Sequence, residues 1–377
     1  MLRRLAKKEG KLTVDVYILG LATSYLSIAL WQLRVLVNRV VFSLPILFIG
    51  LIIVFRYSGT DTYGIYENIL KSILEGQESE LLSGLEPGFV TLSKISLWIT
   101  GSEIWALRFI GLIFILLVLG FIVRADKLEI KFAFLYFIPL LIYQYGMNAV
   151  RAGLALALTL LAWQALRRGN WALFGFLGTV SLLFHYSIAL VLGLILLGEI
   201  LRASPKLPRL IVILLGFTTI TSLLLLTRWD YFESKITLYS DYESPYAYSG
   251  LSRTGIILLI WVLFLIAVVN KTKTTFTPVI RTFTLVVLPS LIFQGLALVS
   301  YAGLRLLELM TFVVPLVLIR ELDHTKKAGK TFWVGLALAG LIGAGFVYRS
   351  FLVDYNGQLT GTLTPFLPYR TIFDYKP

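Results

Sequence analysis

Stretches of about 18 or more mostly apolar residues recur along this chain, and no other feature narrows its fold as far. A run of that length is what one helix needs to cross the hydrocarbon core of a bilayer. The apolar spans read as 13–32, 39–55, 104–123, 132–147, 151–166, 171–185, 187–201, 209–227, 254–270, 281–300, 304–320 and 331–348. Segment 88–100, "GFVTLSKISLWIT", is too short and too polar to cross, and reads as an interfacial or re-entrant helix.

The expectation is an all-α polytopic membrane protein. Residues 1–377 form a single integral membrane domain, one bundle of about twelve transmembrane helices, or eleven if the first span does not cross. Composition agrees. With 58% hydrophobic and 15% charged residues, there is too little charge to cover the surface of a soluble domain. The net charge of +13 does not point to nucleic acid, because the basic residues are scattered between apolar runs. That scatter is the pattern of positively charged loops against an anionic leaflet. The chain has no Cys and only His185 and His324, which excludes thiol chemistry, disulfides and a multi-histidine metal site.

Lys and Arg set the orientation. One set of connections carries seventeen of them: Arg34, Arg39, Arg124, Lys127, Lys131, Arg167, Arg168, Arg202, Lys206, Arg209, Lys271, Lys273, Arg281, Arg320, Lys326, Lys327 and Lys330. This side reads as cytoplasmic. The other side holds the two longest loops, about 56–103 (with 88–100 inside it) and 228–253, both rich in carboxylates such as Glu67, Glu75, Asp230 and Glu243. The amino terminus conflicts with this assignment, since Arg3, Arg4, Lys7, Lys8 and Lys11 would lie outside. Either 13–32 stops short of crossing or the later helices outweigh it; no small-residue cleavage site marks a signal peptide.

The outer face collects polar residues. Asn148 and Arg151 open the span at 151–166, which descends to Arg167 and Arg168; the chain turns and climbs through 171–185 to His185. At 1.5 Å per residue the descending leg is ~24 Å and the ascending leg ~21 Å, so Arg151 and His185 should lie at similar depth. Arg56 closes the second span and is followed by Asp61; Glu86 precedes the interfacial segment; Arg253 and Arg305 open later spans. Four arginines at one outer compartment run against the positive-inside tendency. Guanidinium forks bind phosphate oxygens in pairs and stay charged, and a carboxylate or histidine nearby can take a proton from a hydroxyl. Each residue also has a plainer role. Arg56, Arg253 and Arg305 suit snorkelling helix ends, Asn148 an interhelical hydrogen bond, His185 a packing site, and Glu86 and Asp61 turn residues. The outer tyrosines suit an interfacial belt.

In "RYSGTDTYGIY", "EPGF", "NAVRAGLALAL", "FHYS" and "GLRLLEL", taken in that order, the chain resembles the Wzy-type polysaccharide polymerases, specifically the EpsG-like family. The resemblance implies polymerisation of lipid-linked oligosaccharide repeat units at the outer face of the cytoplasmic membrane. Glycan would pass from a polyprenyl diphosphate donor to a sugar hydroxyl of a second lipid-linked unit. The product class is O-antigen, capsule or exopolysaccharide. Arg56, Arg151, Arg253 and Arg305 would hold the diphosphate, with Asn148 orienting Arg151 or a phosphate oxygen. His185, Asp61 or Glu86 would be the base. No cofactor is implied, since the donor is already activated; there is no P-loop or dinucleotide fingerprint and no Asp-x-Asp pair, "DYE" at 241–243 being the nearest. The partners implied are the two polyprenyl-diphosphate-linked oligosaccharides, membrane lipids and a chain-length regulator, with no nucleic acid. Competing readings are a polyprenyl-phosphate-sugar-dependent glycosyltransferase adding one sugar, a lipid-linked glycan transporter or flippase, and a ligase to a lipid A core.

Overall fold

A computed structural model describes residues 15–33, 39–59, 65–77, 84–203, 249–269, 276–325, 329–353 and 364–374, with three isolated positions between 229 and 237. The expected span 209–227, Asp61 and the amino-terminal basic cluster lie outside the described residues. The described chain is helical: α1 Val16–Gln32, α2 Ser43–Val54, α3 Glu67–Leu74, α4 Pro87–Thr100, α5 Glu103–Arg124, α6 Lys127–Asn148, α7 Val150–Arg167, α8 Trp171–Phe184, α9 Ile188–Ala203, α10 Ser249–Val269, α11 Thr277–Ala297, α12 Tyr301–Thr325 and α13 Lys330–Phe351. Six of these, α5, α6 and α10 to α13, are long and apolar enough to cross a membrane. The protein is therefore a multi-pass helical membrane protein.

In hydrocarbon every backbone polar group must find a partner within the protein, which is why the spanning elements are helices. Where proline breaks that rule the structure compensates locally. Pro139 in α6 removes a donor and crowds the carbonyl four residues earlier. That carbonyl, Leu135, lies in a π-helical turn at Ala133–Phe137 and accepts the Tyr25 hydroxyl of α1 at 3.3 Å. Ser24 of α1 donates to the neighbouring Phe134 carbonyl at 3.1 Å.

Short helices mark one face. α3 turns Ile69, Leu70 and Ile73 inward and exposes Lys71 and Glu75. α4, with Glu86 at its amino end, is ended by Gly101 in the left-handed region, and α5 starts at Glu103. Arg108, in the second turn of α5, donates to the Arg56 carbonyl at 2.8 Å and to Glu67 at 2.9 Å. The amino end of α4 joins the same face through Glu86, which bonds Arg151 and His185 beside the Met147 carbonyl that Arg56 holds.

The first and last described segments meet on that face as well. Arg56 pairs with Thr371 in an antiparallel bridge, and the Tyr57 and Ile372 amides bond to the Arg370 and Phe55 carbonyls. Tyr17 donates to the Phe366 carbonyl and Tyr348 to Asp15. The start of α1 thus shares a side with the end of α2 and with segment 364–374.

Ion pairs close the opposite face. Arg167 bonds Glu129 at 2.7 Å, Asp126 at 2.9 Å and Asp323 at 3.0 Å, and Arg168 reaches Glu129 at 3.4 Å. Glu199 takes Arg202 at 2.7 Å and Arg320 at 2.6 Å, while Glu321 takes Arg202 at 3.2 Å and also Arg281. Five arginines from the positive tally are thus matched by five carboxylates. Buried charges persist only when paired this closely.

Candidate active site

Glu86 is the centre of the cluster that the sequence assigns to the outer face. It caps α4 with extended backbone, Pro87 occupies the first helical position, and its side chain is 0% exposed. Gly88 makes the approach to α8 possible. A Cβ there would lie 2.7 Å from the Leu183 carbonyl oxygen, so only glycine lets the first turn of α4 rest on the last turn of α8. That contact delivers the Glu86 Oε1 to His185 Nδ1 at 3.0 Å. His185 itself ends α8 in extended conformation, its amide bonded to the Ser181 carbonyl, and its side chain is 24% exposed.

Arg151 reaches the other oxygen. Its Nη1 donates to Glu86 Oε2 at 2.5 Å, and the side chain is 20% exposed. The hairpin that presents it is tight. α6 ends in a π-helical turn at Gln144–Asn148, Ala149 breaks the helix, and α7 begins at once. A side chain at Gly153 would collide with the Tyr145 carbonyl, so this glycine sets how closely the two legs stand. Arg151 and His185, which helix rise alone places at one depth, therefore meet on a single carboxylate.

The electrostatics follow from this geometry. Burial would push the Glu86 carboxyl up, but the hydrogen bond to His185 and the positive charge of Arg151 outweigh it and hold the group down at about 2. A carboxylate kept charged in this way cannot readily take a proton. It can instead orient an imidazole: a proton on Nδ1 donated to Glu86 leaves Nε2 as the basic nitrogen.

The other arginines divide. Arg305 Nη1 lies 3.2 Å from Glu308 and Arg253 Nη2 3.9 Å from the same oxygen, with the Arg305 guanidinium 5.0 Å above the Tyr301 ring. The buried Tyr145, beside the Arg151 hairpin, is within electrostatic reach of Glu308, Arg305 and Arg253. Arg56 takes a different place. It is 1% exposed, and its guanidinium donates to the Ile53 carbonyl at 2.5 Å and the Met147 carbonyl at 3.1 Å. It fastens the end of α2 to the hairpin that carries Arg151. Asn148 is part-buried, and its Oδ1 has no hydrogen-bond donor among the described residues.

Three residues of this face were not singled out from the sequence. Glu308 carries a signal, since it stands three residues after Arg305, the spacing of a helical ion pair. Arg108 carries another, a cation inside an apolar run. Glu67, counted with the loop carboxylates, is the partner of Arg108 rather than a solvated surface group.

A family model, described as the EpsG family, matches residues 39–371. No curated protein and no solved structure matches the chain. The matched range runs past α13 to Thr371, the bridge partner of Arg56.

Proposed function

The chain belongs to the EpsG family, a polysaccharide-polymerase-like family of membrane proteins, and from this premise we propose that it polymerises lipid-linked oligosaccharide repeat units. The donor is a glycan on a polyprenyl diphosphate and the acceptor a sugar hydroxyl of a second lipid-linked unit. In the reaction the acceptor oxygen bonds to the donor's anomeric carbon as the bond from that carbon to the diphosphate oxygen breaks. The electron pair leaves with the diphosphate, and the hydroxyl proton passes to a base.

The observation that carries this reading is the buried Glu86 carboxylate, which holds Arg151 on one oxygen and His185 on the other. A cation and a base are thereby set side by side at a membrane surface. His185 takes the proton at Nε2, with Glu86 as the positioning residue; Asp61 remains the alternative base. Arg151, Arg253 and Arg305 stabilise charge on the departing diphosphate. Arg56 contributes by bracing the hairpin, and Asn148 by orienting Arg151 or a phosphate oxygen.

The site faces outward from the cytoplasmic membrane in this reading. Twelve crossings, counting the span expected at 209–227 and omitting α3 and α4, would return Asp15, segment 364–374 and the site to one side, which the positive-inside tendency assigns to the extracytoplasmic space. Purified protein incubated with a defined polyprenyl-diphosphate oligosaccharide, without added metal, should yield a ladder of repeats. With a polyprenyl-phosphate sugar supplied as a second donor, a single added sugar in place of the ladder would assign it to the polyprenyl-phosphate-sugar glycosyltransferases, and a ladder of wild-type length from Arg151→Ala would remove that arginine from the mechanism.

A further inference from the structure

On the face opposite Glu86, one set of cations stands apart from the ion-pair lattice. Lys127 and Lys131 lie in the first turns of α6, and Lys330 is the first residue of α13. None of the three makes an ion pair among the described residues, although Asp126 and Glu129 lie on the same turns as the first two. Those carboxylates are engaged by Arg167 and Arg168. Lys131 instead places its ammonium 5.1 Å from the centre of the Trp333 ring, one turn along α13 from Lys330. Lys127 and Lys330 are exposed and Lys131 is half-buried.

Lysines four residues apart on a helix repel each other. Here neither lysine pairs with a carboxylate among the described residues, while every arginine of the adjoining lattice is matched. The cluster sits where two membrane-spanning helices begin, the level of lipid headgroups, and Trp333 is the residue type that favours that level. Compact ammonium groups suit a phosphate as point charges.

We propose that Lys127, Lys131 and Lys330, with Trp333 as the apolar floor, form a binding site for the phosphate of an anionic membrane lipid, wedged between α6 and α13. The site is independent of the polymerase reading, because it lies at the other end of both helices from Glu86. Each lysine near a charged membrane surface should account for about a fivefold change in affinity.

Native mass spectrometry of detergent-purified protein titrated with phosphatidylglycerol, cardiolipin, phosphatidylcholine or inorganic phosphate tests this. The expected result is a retained anionic lipid, with phosphatidylcholine and inorganic phosphate bound far more weakly. A Lys127→Gln, Lys131→Gln, Lys330→Gln triple variant should weaken lipid retention about a hundredfold. Lys131→Arg should keep it, which guards against a folding defect. Equal retention by the triple variant, or phosphatidylcholine bound as well as the anionic lipids, overturns the proposal. So does inorganic phosphate matching the lipid, since the site would then take free phosphate.

Discussion

Glu86 and His185 meet at 3.0 Å although ninety-nine positions separate them in the chain, and the same carboxylate holds Arg151 at 2.5 Å. One acid thereby joins the ends of three helices, α4, α7 and α8. It fits a base-orienting group better than a base, because it is fully buried and is kept charged by both partners.

Glu86→Gln separates these roles. The amide keeps the shape but offers one acceptor where two donors converge, so His185 loses its orientation or Arg151 its partner. Polymer formation should fall by about 10²- to 10⁴-fold while single repeat units still accumulate. Sizing the glycans from cells that express equal amounts of wild type and variant checks this; unchanged chain length would sink the dyad.

Acid should loosen the same contact. Glu86 titrates at about 2 in the folded protein against an ordinary 4.5, so its contribution to stability is complete above about pH 5. It is lost as pH falls through the folded value, and amounts to about 3 kcal/mol. Thermal unfolding in detergent between pH 5 and pH 2 should show this decline in wild type and a shallower one in Glu86→Gln.

Gly88→Ala tests the approach of α4 to α8. The new methyl would meet the Leu183 carbonyl at 2.7 Å, pushing the two helix ends apart at about 1–3 kcal/mol. Activity should drop well beyond what the loss of folded protein explains, because Glu86 and His185 separate by the same displacement. A variant with wild-type turnover would show that their contact is dispensable.

The ion-pair lattice on the far side predicts the reverse balance. Glu321 is buried between Arg202 and Arg281, and removing one member of a buried pair destabilises by about 3–5 kcal/mol. Glu321→Ala should therefore melt markedly lower in detergent, yet the protein that remains folded should polymerise at the wild-type rate. Lost activity at full stability would contradict a purely architectural role.

Much of the site was legible because its parts sit at helix ends, and helix ends are where an apolar sequence is punctuated. Arg151 and His185 were placed at one depth by the lengths of α7 and α8 alone. Glu86 was visible through the Pro87–Gly88 break, but its partners were not, since nothing local says which of several outer arginines a carboxylate will meet. Arg56 shows the limit from the other side. As a cation at a span end it is indistinguishable from Arg253, yet it bonds two carbonyls while Arg253 faces Glu308. The tally of positive loops had a similar blind spot: Arg167, Arg202 and Arg281 count as free cations in a sequence, but their charge is matched inside the bundle.

The sequence by itself determined that this is a helical membrane protein, where its six long apolar helices fall, and which polar groups share a face. Those properties follow from the length of apolar runs and from helix rise, both of which are local. Only the tertiary structure decided the pairings between helices. Gly88 and Gly153 admit close backbone approaches that bring Glu86 to Arg151 and His185, and the packing of α10 on α12 sets Arg253 beside Glu308. Pairs such as Glu86–Arg151 and Arg253–Glu308 depend on distances between helices remote in the chain, which no local pattern encodes.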